Sequence, residues 1–193
     1  MTLRLYFLAF YVISLAVFVV KVIPASLKVP TPEQRSQGPA RLLPPFLVFF
    51  NFVLPLLLIF TRVGERETWP DLVRWLGFGV SLYAVAMLLW AAATLGRFLV
   101  PQTIVFSDHE LVTSGPYRLL RHPAYSGDLA LWLGAALATA NVFLLLLWPI
   151  SVLGTYLLTR EEDALLASKF GSRYERYSRR TGGLIPRFGV RSR

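Results

Sequence analysis

Residues 115–127, GPYRLLRHPAYSG, place two arginines, one histidine and two tyrosines between long apolar runs. The cationic and donor groups of Arg121 and His122 lie close in sequence to the amphipathic rings of Tyr117 and Tyr125. Such a set can bind a polar ligand through donors, charge and ring faces together. Aromatic and arginine side chains also form belts at membrane interfaces, so spacing alone leaves both interpretations open.

A second polar cluster follows the last apolar run, in REEDALLASKFGSRYERYSRR at residues 160–180. Glu161, Glu162 and Asp163 are adjacent acids, which either mark the end of a membrane span or accept hydrogen bonds from a polar ligand. Apolar and aromatic residues recur at helical spacing through the rest of the segment. We therefore expect an amphipathic helix on the membrane surface, which Gly171 weakens but need not end.

Other catalytic signatures do not occur in the sequence. The chain has no cysteine and only two histidines, so thiolate chemistry and zinc–thiolate sites are excluded and no metal-binding spacing is present. Nucleophile-elbow, phosphate-loop and dinucleotide-binding patterns are also missing. We expect no metal cofactor.

The composition is that of an integral membrane protein. Hydrophobic residues make up 55% of the 193 residues, charged residues only 16%, and the mean hydropathy is +0.54. The net charge of +9 suggests anionic lipid headgroups near the ends of spans as partners. A nucleic-acid partner is not expected, because the basic tail contains no recognisable reading module.

The elements that must position the two clusters are membrane helices, each of which needs about 20 apolar residues. Uncharged runs occur at Leu5 to Val20, Leu42 to Thr61, Trp75 to Gly96, and Leu129 to Leu158. Pro55 is expected to bend the second span. The last run has 30 uncharged residues, and a tight turn at Asn141 would divide it into two short helices.

The distribution of basic residues favours five spans over four. With five spans, 16 of the 20 lysines and arginines lie on one side of the membrane, which predicts a cytoplasmic C-terminus and an N-terminus outside. The fold class expected is an all-α integral membrane protein with about five transmembrane helices. The last two form a hairpin, and a C-terminal amphipathic helix follows them. Both polar clusters then share the cytoplasmic face.

Taken together, the two clusters resemble the integral membrane methyltransferases, which include isoprenylcysteine carboxyl methyltransferase and phospholipid N-methyltransferases. The resemblance rests on RHPxYxG at residues 121–127, the EE pair at 161–162 and FGxxYxxY at 170–177. It implies an N-terminal three-span region, residues 1–96, and a catalytic region, residues 97–193, integrated into one domain.

The resemblance also implies a cytosol-facing pocket for S-adenosylmethionine. Side chains of the RHP loop and the EE segment would contact this cofactor, and backbone groups before the loop would lie along its adenosine and ribose. The cofactor-binding residues implied in this way are His122, Tyr125, Glu162, Glu161, Leu111, Val112, Gly115 and Tyr117.

The methyl acceptor implied is lipophilic, either a prenylcysteine-like carboxylate or another lipid. Arg97 either orients an anionic acceptor or ends the third span. We expect the acceptor to enter sideways from the bilayer, through an opening near Arg97 and Tyr125 that Gly127 and Ala130 line. Two alternatives are an NADPH-dependent membrane reductase of the sterol reductase type and a membrane scaffold without enzymatic activity.

Overall fold

The computed structural model describes residues 49–66, 68–99, 104–105 and 110–187, together with residues 9, 12, 13, 16, 34–35, 46–47 and 108. The first predicted span, Leu5 to Val20, lies outside the described residues apart from four single positions. The regular secondary structure of the described residues is helical, except for one pair of two-residue strands.

The second predicted span ends at the predicted residue, Thr61. A π-helical turn, Phe49–Val53, leads directly into α1, Leu54–Thr61. Pro55 lies in the first turn of α1 and has no amide hydrogen to donate to the preceding turn, so the regular α-helical ladder cannot continue backwards through it. The helix type therefore changes from π to α at this proline, whereas the bend predicted at Pro55 stays a prediction.

Helix α2, Asp71–Leu95, corresponds to the third predicted span. It starts after Pro70, whose fixed φ suits a helix start, and it ends at Gly96, which has a φ of +58°. A short 3-10 turn, Gly96–Phe98, follows. With 25 residues, α2 is long and apolar enough to cross a membrane.

The last apolar run is divided near Asn141, as predicted. Helix α3 is Pro123–Ala138 and helix α4 is Val142–Phe170. The Asn141 side chain accepts hydrogen bonds from the backbone N–H groups of Phe143 and Leu144, both at 3.1 Å, which caps α4. Helix α4 has 29 residues and is also long enough to span a membrane. It continues without a break through the three adjacent acids.

Gly171, which was expected to weaken the helix without necessarily ending it, does end α4. Its φ of +53° lies in the left-handed region that side chains other than glycine's rarely adopt. Helix α5, Ser172–Arg180, starts immediately afterwards. The surface helix is therefore only nine residues long, and the acids belong to the end of α4 instead.

Small residues allow α2 and α3 to pack closely. A Cβ added to Gly77 would lie 2.3 Å from the backbone nitrogen of Ala138, and one added to Gly134 would lie 2.3 Å from the Ser81 hydroxyl. Close backbone approach through small residues is a common way of holding membrane helices together. The apolar core lies beside this contact and includes the fully buried Trp132.

The loops lie at the two ends of the helices. At one end, the loop after α1 pairs with the turn between α3 and α4, where the Val142 N–H donates to the Gly64 carbonyl at 2.9 Å. Strand β1, Gln34–Arg35, pairs antiparallel with β2, Ile104–Val105. This pairing joins the two loops, residues 21–41 and 97–123, that the charge distribution assigns to one face.

Candidate functional site

The RHP segment is a structured loop that leads into α3. Gly115–Arg118 form a 3-10 turn, and α3 begins at Pro123. The backbone N–H groups of Arg121 and His122 donate to the carbonyls of Gly182 and Gly183, at 2.7 and 3.3 Å. The chain after α5 therefore runs alongside this loop and fixes the backbone that carries the two side chains.

His122 is buried between two carboxylates from the end of α4. Its side chain is 4% exposed, with Nε2 2.7 Å from an Asp163 oxygen and Nδ1 3.4 Å from a Glu162 oxygen. Burial by itself lowers the pKa of His122, but hydrogen bonds and charge attraction from Asp163 and Glu162 outweigh burial. The pKa of His122 therefore lies above its ordinary value, which favours the imidazolium.

Tyr125 binds the second oxygen of the same glutamate. Its hydroxyl donates to Glu162 Oε1 at 2.7 Å, and its ring lies 6.0 Å from the His122 ring. The spacing of three residues places both rings at the start of α3, where they face the end of α4. The three side chains predicted from two distant motifs, His122, Tyr125 and Glu162, are thus brought together.

Asp163 has three side-chain partners, although it was not among the predicted cofactor-binding residues. The Arg121 guanidinium binds both of its oxygens, at 2.8 and 3.3 Å, and the Tyr174 hydroxyl donates to the oxygen that also faces His122. Arg121 also donates to the carbonyl of Thr181 at 2.7 Å. This ion pair connects the RHP loop, α4 and the chain after α5, so Arg121 and Asp163 position the site.

Two tyrosines of α5 also hydrogen-bond to residues of this site. In the sequence, the FGxxYxxY motif indicated both of them. Tyr174 is buried and reaches Asp163, while the Tyr177 hydroxyl donates to the backbone carbonyl of Tyr117 at 2.6 Å. Tyr117 is itself buried, and burial together with the nearby charge of Glu162 raises its pKa. Tyr117 therefore belongs to the same cluster as His122, Tyr125 and Glu162.

The remaining predicted residues lie on the approach to this cluster. Gly115 has a φ of +56° and packs against α2, where an added Cβ would lie 2.7 Å from the Thr94 hydroxyl. Leu111 and Val112 lie before it in a segment without regular secondary structure and are partly exposed. Their backbone groups make no hydrogen bond to other described residues, so they remain available to a ligand.

Two predicted residues are not shown to be part of this cluster. Glu161 is partly buried next to Glu162, but consecutive helical residues point about 100° apart. The Arg97 side chain lies outside the described residues, so its role as an orienting cation stays a prediction.

The lateral opening predicted at Gly127 is not found there. Gly127 is buried against α2, and an added Cβ would lie 2.9 Å from a Leu88 side-chain carbon and 3.2 Å from the Ala84 carbonyl. Ala130 packs at the edge of the apolar core. Glycine is needed here for helix packing, so substituting it would disturb the helices themselves and not an acceptor path.

A cavity of about 440 Å³ lies next to the site but not within it. Arg121 and Asp163 line it, together with Arg160, Tyr174 and Arg179. His122, Tyr125 and Glu162 do not. Since the cavity is lined by the positioning ion pair but by none of the predicted cofactor-binding residues, we treat it as a separate feature.

Comparison with known proteins identifies the family to which the region around this site belongs. The profile of the phospholipid methyltransferase family matches residues 72–173, which is more than half of the chain. The match runs from the start of α2 to the start of α5, so it contains the RHP loop and the acids of α4. It therefore covers both motifs that meet at His122, Tyr125 and Glu162.

The individual relatives include a metal-resistance protein and two proteins named as methyltransferases. The cobalt-zinc-cadmium resistance protein CzcN of Cupriavidus metallidurans is 36% identical over 121 residues, covering 61% of this chain and 56% of that protein. A probable protein-S-isoprenylcysteine O-methyltransferase of Oryza sativa subsp. indica is 32% identical over 129 residues, covering 63% and 64%. The protein-S-isoprenylcysteine O-methyltransferase of Schizosaccharomyces pombe is 38% identical over 81 residues, covering 41% and 34%.

The matched part of the chain thus spans between about a third and two thirds of the length of these relatives. The family profile, the two motifs and the apolar helices are all typical of an integral membrane methyltransferase. The chain belongs to the phospholipid methyltransferase family, within the superfamily of integral membrane methyltransferases.

Proposed function

We propose that this protein transfers a methyl group from S-adenosylmethionine to a lipophilic acceptor at the cytoplasmic face of the membrane. The observation that carries the proposal is the meeting of His122, Tyr125 and Glu162 inside the region matched by the family profile. These residues come from two motifs 37 positions apart, and folding places them within hydrogen-bond distance.

The chemistry of these side chains fits the cofactor. S-adenosylmethionine carries an ammonium, a carboxylate, ribose hydroxyls and a sulfonium. The Glu162 carboxylate can accept hydrogen bonds from the ammonium or the ribose, and aromatic rings attract a methyl-bearing cation by about 0.5 to 2 kcal/mol. The free backbone groups of Leu111 and Val112 suit the adenosine. Glu161, Gly115 and Tyr117 complete the proposed set of binding residues.

The residues of the chain then have three tasks. Arg121 and Asp163 fix the loop, His122 and Tyr125 hold Glu162 in one orientation, and the packed helices exclude water from the reacting groups. Bound there, the cofactor would supply a methyl group that its sulfonium already activates. Orientation alone contributes about 7 to 11 kcal/mol in favourable systems, so a rigid site is the main requirement.

Ligand titration of purified full-length protein tests the proposal against the alternative reductase and scaffold functions. We expect S-adenosylhomocysteine to bind, measured by calorimetry in detergent, and NADPH not to bind. His122→Ala and Glu162→Gln should each weaken that binding by about 1 to 3 kcal/mol, because each leaves a buried partner unpaired.

The matched control is Glu175→Gln, which makes the same chemical change on the exposed side of α5. It should leave the affinity unchanged. Equal affinities for all four proteins would remove His122 and Glu162 from the cofactor site. Binding of NADPH alone would instead support the reductase.

A further inference from the structure

The cavity beside the candidate site is lined mainly by cationic side chains. It has a volume of about 440 Å³ and is formed by the end of α4, helix α5, the RHP loop and the chain after α5. Pockets that bind small molecules have volumes of about 300 to 1,000 Å³, so this one is large enough for a polar ligand. Its charged lining residues are four arginines and two acids: Arg121, Arg160, Arg179, Arg187, Asp163 and Glu175.

Three of these arginines have no acidic partner in the part of the chain that the structure describes. Arg121 is neutralised by Asp163, with 2.8 Å between the guanidinium and the carboxylate. Arg160, Arg179 and Arg187 therefore leave an excess of positive charge at the cavity, and Glu175 offsets only part of it. Like charges around one cavity repel each other, and a bound anion would remove that cost.

The fold brings the three arginines together from separate segments. Arg160 lies on α4, Arg179 lies in the last turn of α5, and Arg187 follows α5. The Arg187 guanidinium donates to the backbone carbonyl of Arg179 at 2.6 Å, which holds the chain after α5 against the helix. Guanidinium groups present forked donors to phosphate and carboxylate oxygens. A phosphate offers more acceptor oxygens than a carboxylate, so a cavity with three such groups favours a phosphate.

An exposed apolar face of α4 leads to this cavity. Leu153, Leu157, Arg160 and Ala164 are spaced four, three and four residues apart, so they lie on one face of the helix. Leu153 is 59% exposed and Leu157 is 46% exposed, on a helix long and apolar enough to cross a membrane. Arg160 is the first charged residue after the apolar run. A ligand with its phosphate in the cavity can therefore lay hydrocarbon chains along α4.

We propose that this cavity binds the phosphate of an anionic membrane lipid, whose acyl chains lie along Leu153 and Leu157. The lipid is a bound partner there and not a methyl acceptor, because His122, Tyr125 and Glu162 do not line the cavity. A lipid with a terminal phosphate fits best, since a phosphate monoester carries about −1.5 to −2 charges at pH 7. Bound between α4 and the chain after α5, it would hold in place the segment whose carbonyls bind the RHP loop.

Native mass spectrometry of the full chain in detergent micelles tests this proposal. The protein is titrated with dioleoyl phosphatidate and, separately, with dioleoyl phosphatidylcholine, which has the same acyl chains but no net charge. We expect the first equivalent of phosphatidate to bind about tenfold more tightly than phosphatidylcholine. The double variant with Arg160→Gln and Arg179→Gln should lose this preference.

Two further variants separate the cavity from the general charge of the protein. Arg173→Gln removes the same charge from an exposed position of α5 that does not line the cavity, and it should keep the preference. Ala164→Phe fills the cavity and retains every arginine, so it should lose the preference without any change in net charge.

Wild-type protein that binds both lipids equally overturns the inference, even if the double variant does not fold. So does a folded double variant, or an Ala164→Phe protein, that keeps the preference for phosphatidate. Inorganic phosphate at the same concentration should not displace the lipid, because it lacks chains to lie along α4. Displacement would show that the cavity takes free phosphate and would overturn the assignment to a lipid.

Discussion

The candidate site depends on His122, which has a carboxylate partner at each of its two ring nitrogens. Nε2 faces Asp163 and Nδ1 faces Glu162, and both carboxylates come from adjacent positions of α4. Arg121 shares Asp163, so two cations and two carboxylates balance each other when His122 is protonated. A histidine held in this way stabilises the fold and at the same time orients Glu162 toward a ligand.

The raised pKa of His122 predicts a loss of stability with rising pH. Since the folded-state pKa lies above the ordinary value of about 6.5, the stabilisation is fully present below pH 6.5. It is lost as the pH rises through the folded-state value. Asp163 stays ionised across this range, since its hydrogen bonds with His122 and Arg121 outweigh the effect of burial and hold its pKa below the ordinary value, and Arg121 stays charged. We expect the free energy of unfolding in detergent to fall as the pH rises above about 6.5.

His122→Gln tests the origin of this slope, because glutamine keeps a donor but cannot titrate. The variant should be less stable at pH 6 and nearly independent of pH up to pH 9, as measured by unfolding in mixed micelles. A wild-type protein whose stability rises over this interval would contradict an imidazolium at this position.

At the scale of elements, the contact between α2 and α3 holds the start of α3 in place. Gly77 and Gly79 lie on the same helix but in different surroundings. A Cβ at Gly77 would come within 2.3 Å of the Ala138 backbone nitrogen, whereas a Cβ at Gly79 would meet no atom within 4 Å. The two glycines therefore separate the effect of packing from the effect of helix propensity.

We predict opposite effects for alanine at these two positions. Gly77→Ala forces the helices apart and should lower the free energy of unfolding by about 1 to 3 kcal/mol. Gly79→Ala gains helix propensity without a clash and should raise it by up to about 1 kcal/mol. Unfolding of both variants in mixed micelles checks this. Similar destabilisation by both would mean that the backbone approach at Gly77 does not hold the helices together.

For the whole molecule, the structure places the two groups of loops at opposite ends of the α3–α4 hairpin. The loop after α1 binds the turn at Asn141, where the Asn141 amide donates to the Val63 carbonyl at 2.9 Å. The RHP loop, the acids of α4 and helix α5 meet at the other end. The charge distribution predicts that the second end faces the cytoplasm.

Reporter fusions test this orientation. A reporter after Arg193 and one inserted within residues 62–70 should lie on opposite sides of the membrane, with the C-terminal reporter cytoplasmic. The reason is the excess of lysine and arginine in the loops of that side, 16 of 20. A C-terminal reporter on the outer side would contradict both the five-span arrangement and a cytosol-facing site.

The sequence alone predicted the helices from α2 to α4 and most members of the candidate site. Apolar runs of sufficient length predicted α2 and the end of α1, and Asn141 predicted the turn between α3 and α4, because these signals act within a few residues. The RHP and EE motifs brought His122, Tyr125 and Glu162 into one prediction. These signals are local, so they could be read without knowing how the helices pack.

Only the tertiary structure decided which groups meet. Glu161, Glu162 and Asp163 are spread over about 200° of the α4 surface, so the rotation of α4 against the RHP loop selects Glu162 and Asp163 as partners of His122. The same packing buries Gly127 against α2 and brings Asn51 to Asp128 across 77 residues. Such contacts depend on long-range helix packing, for which no spacing rule exists within a single chain segment.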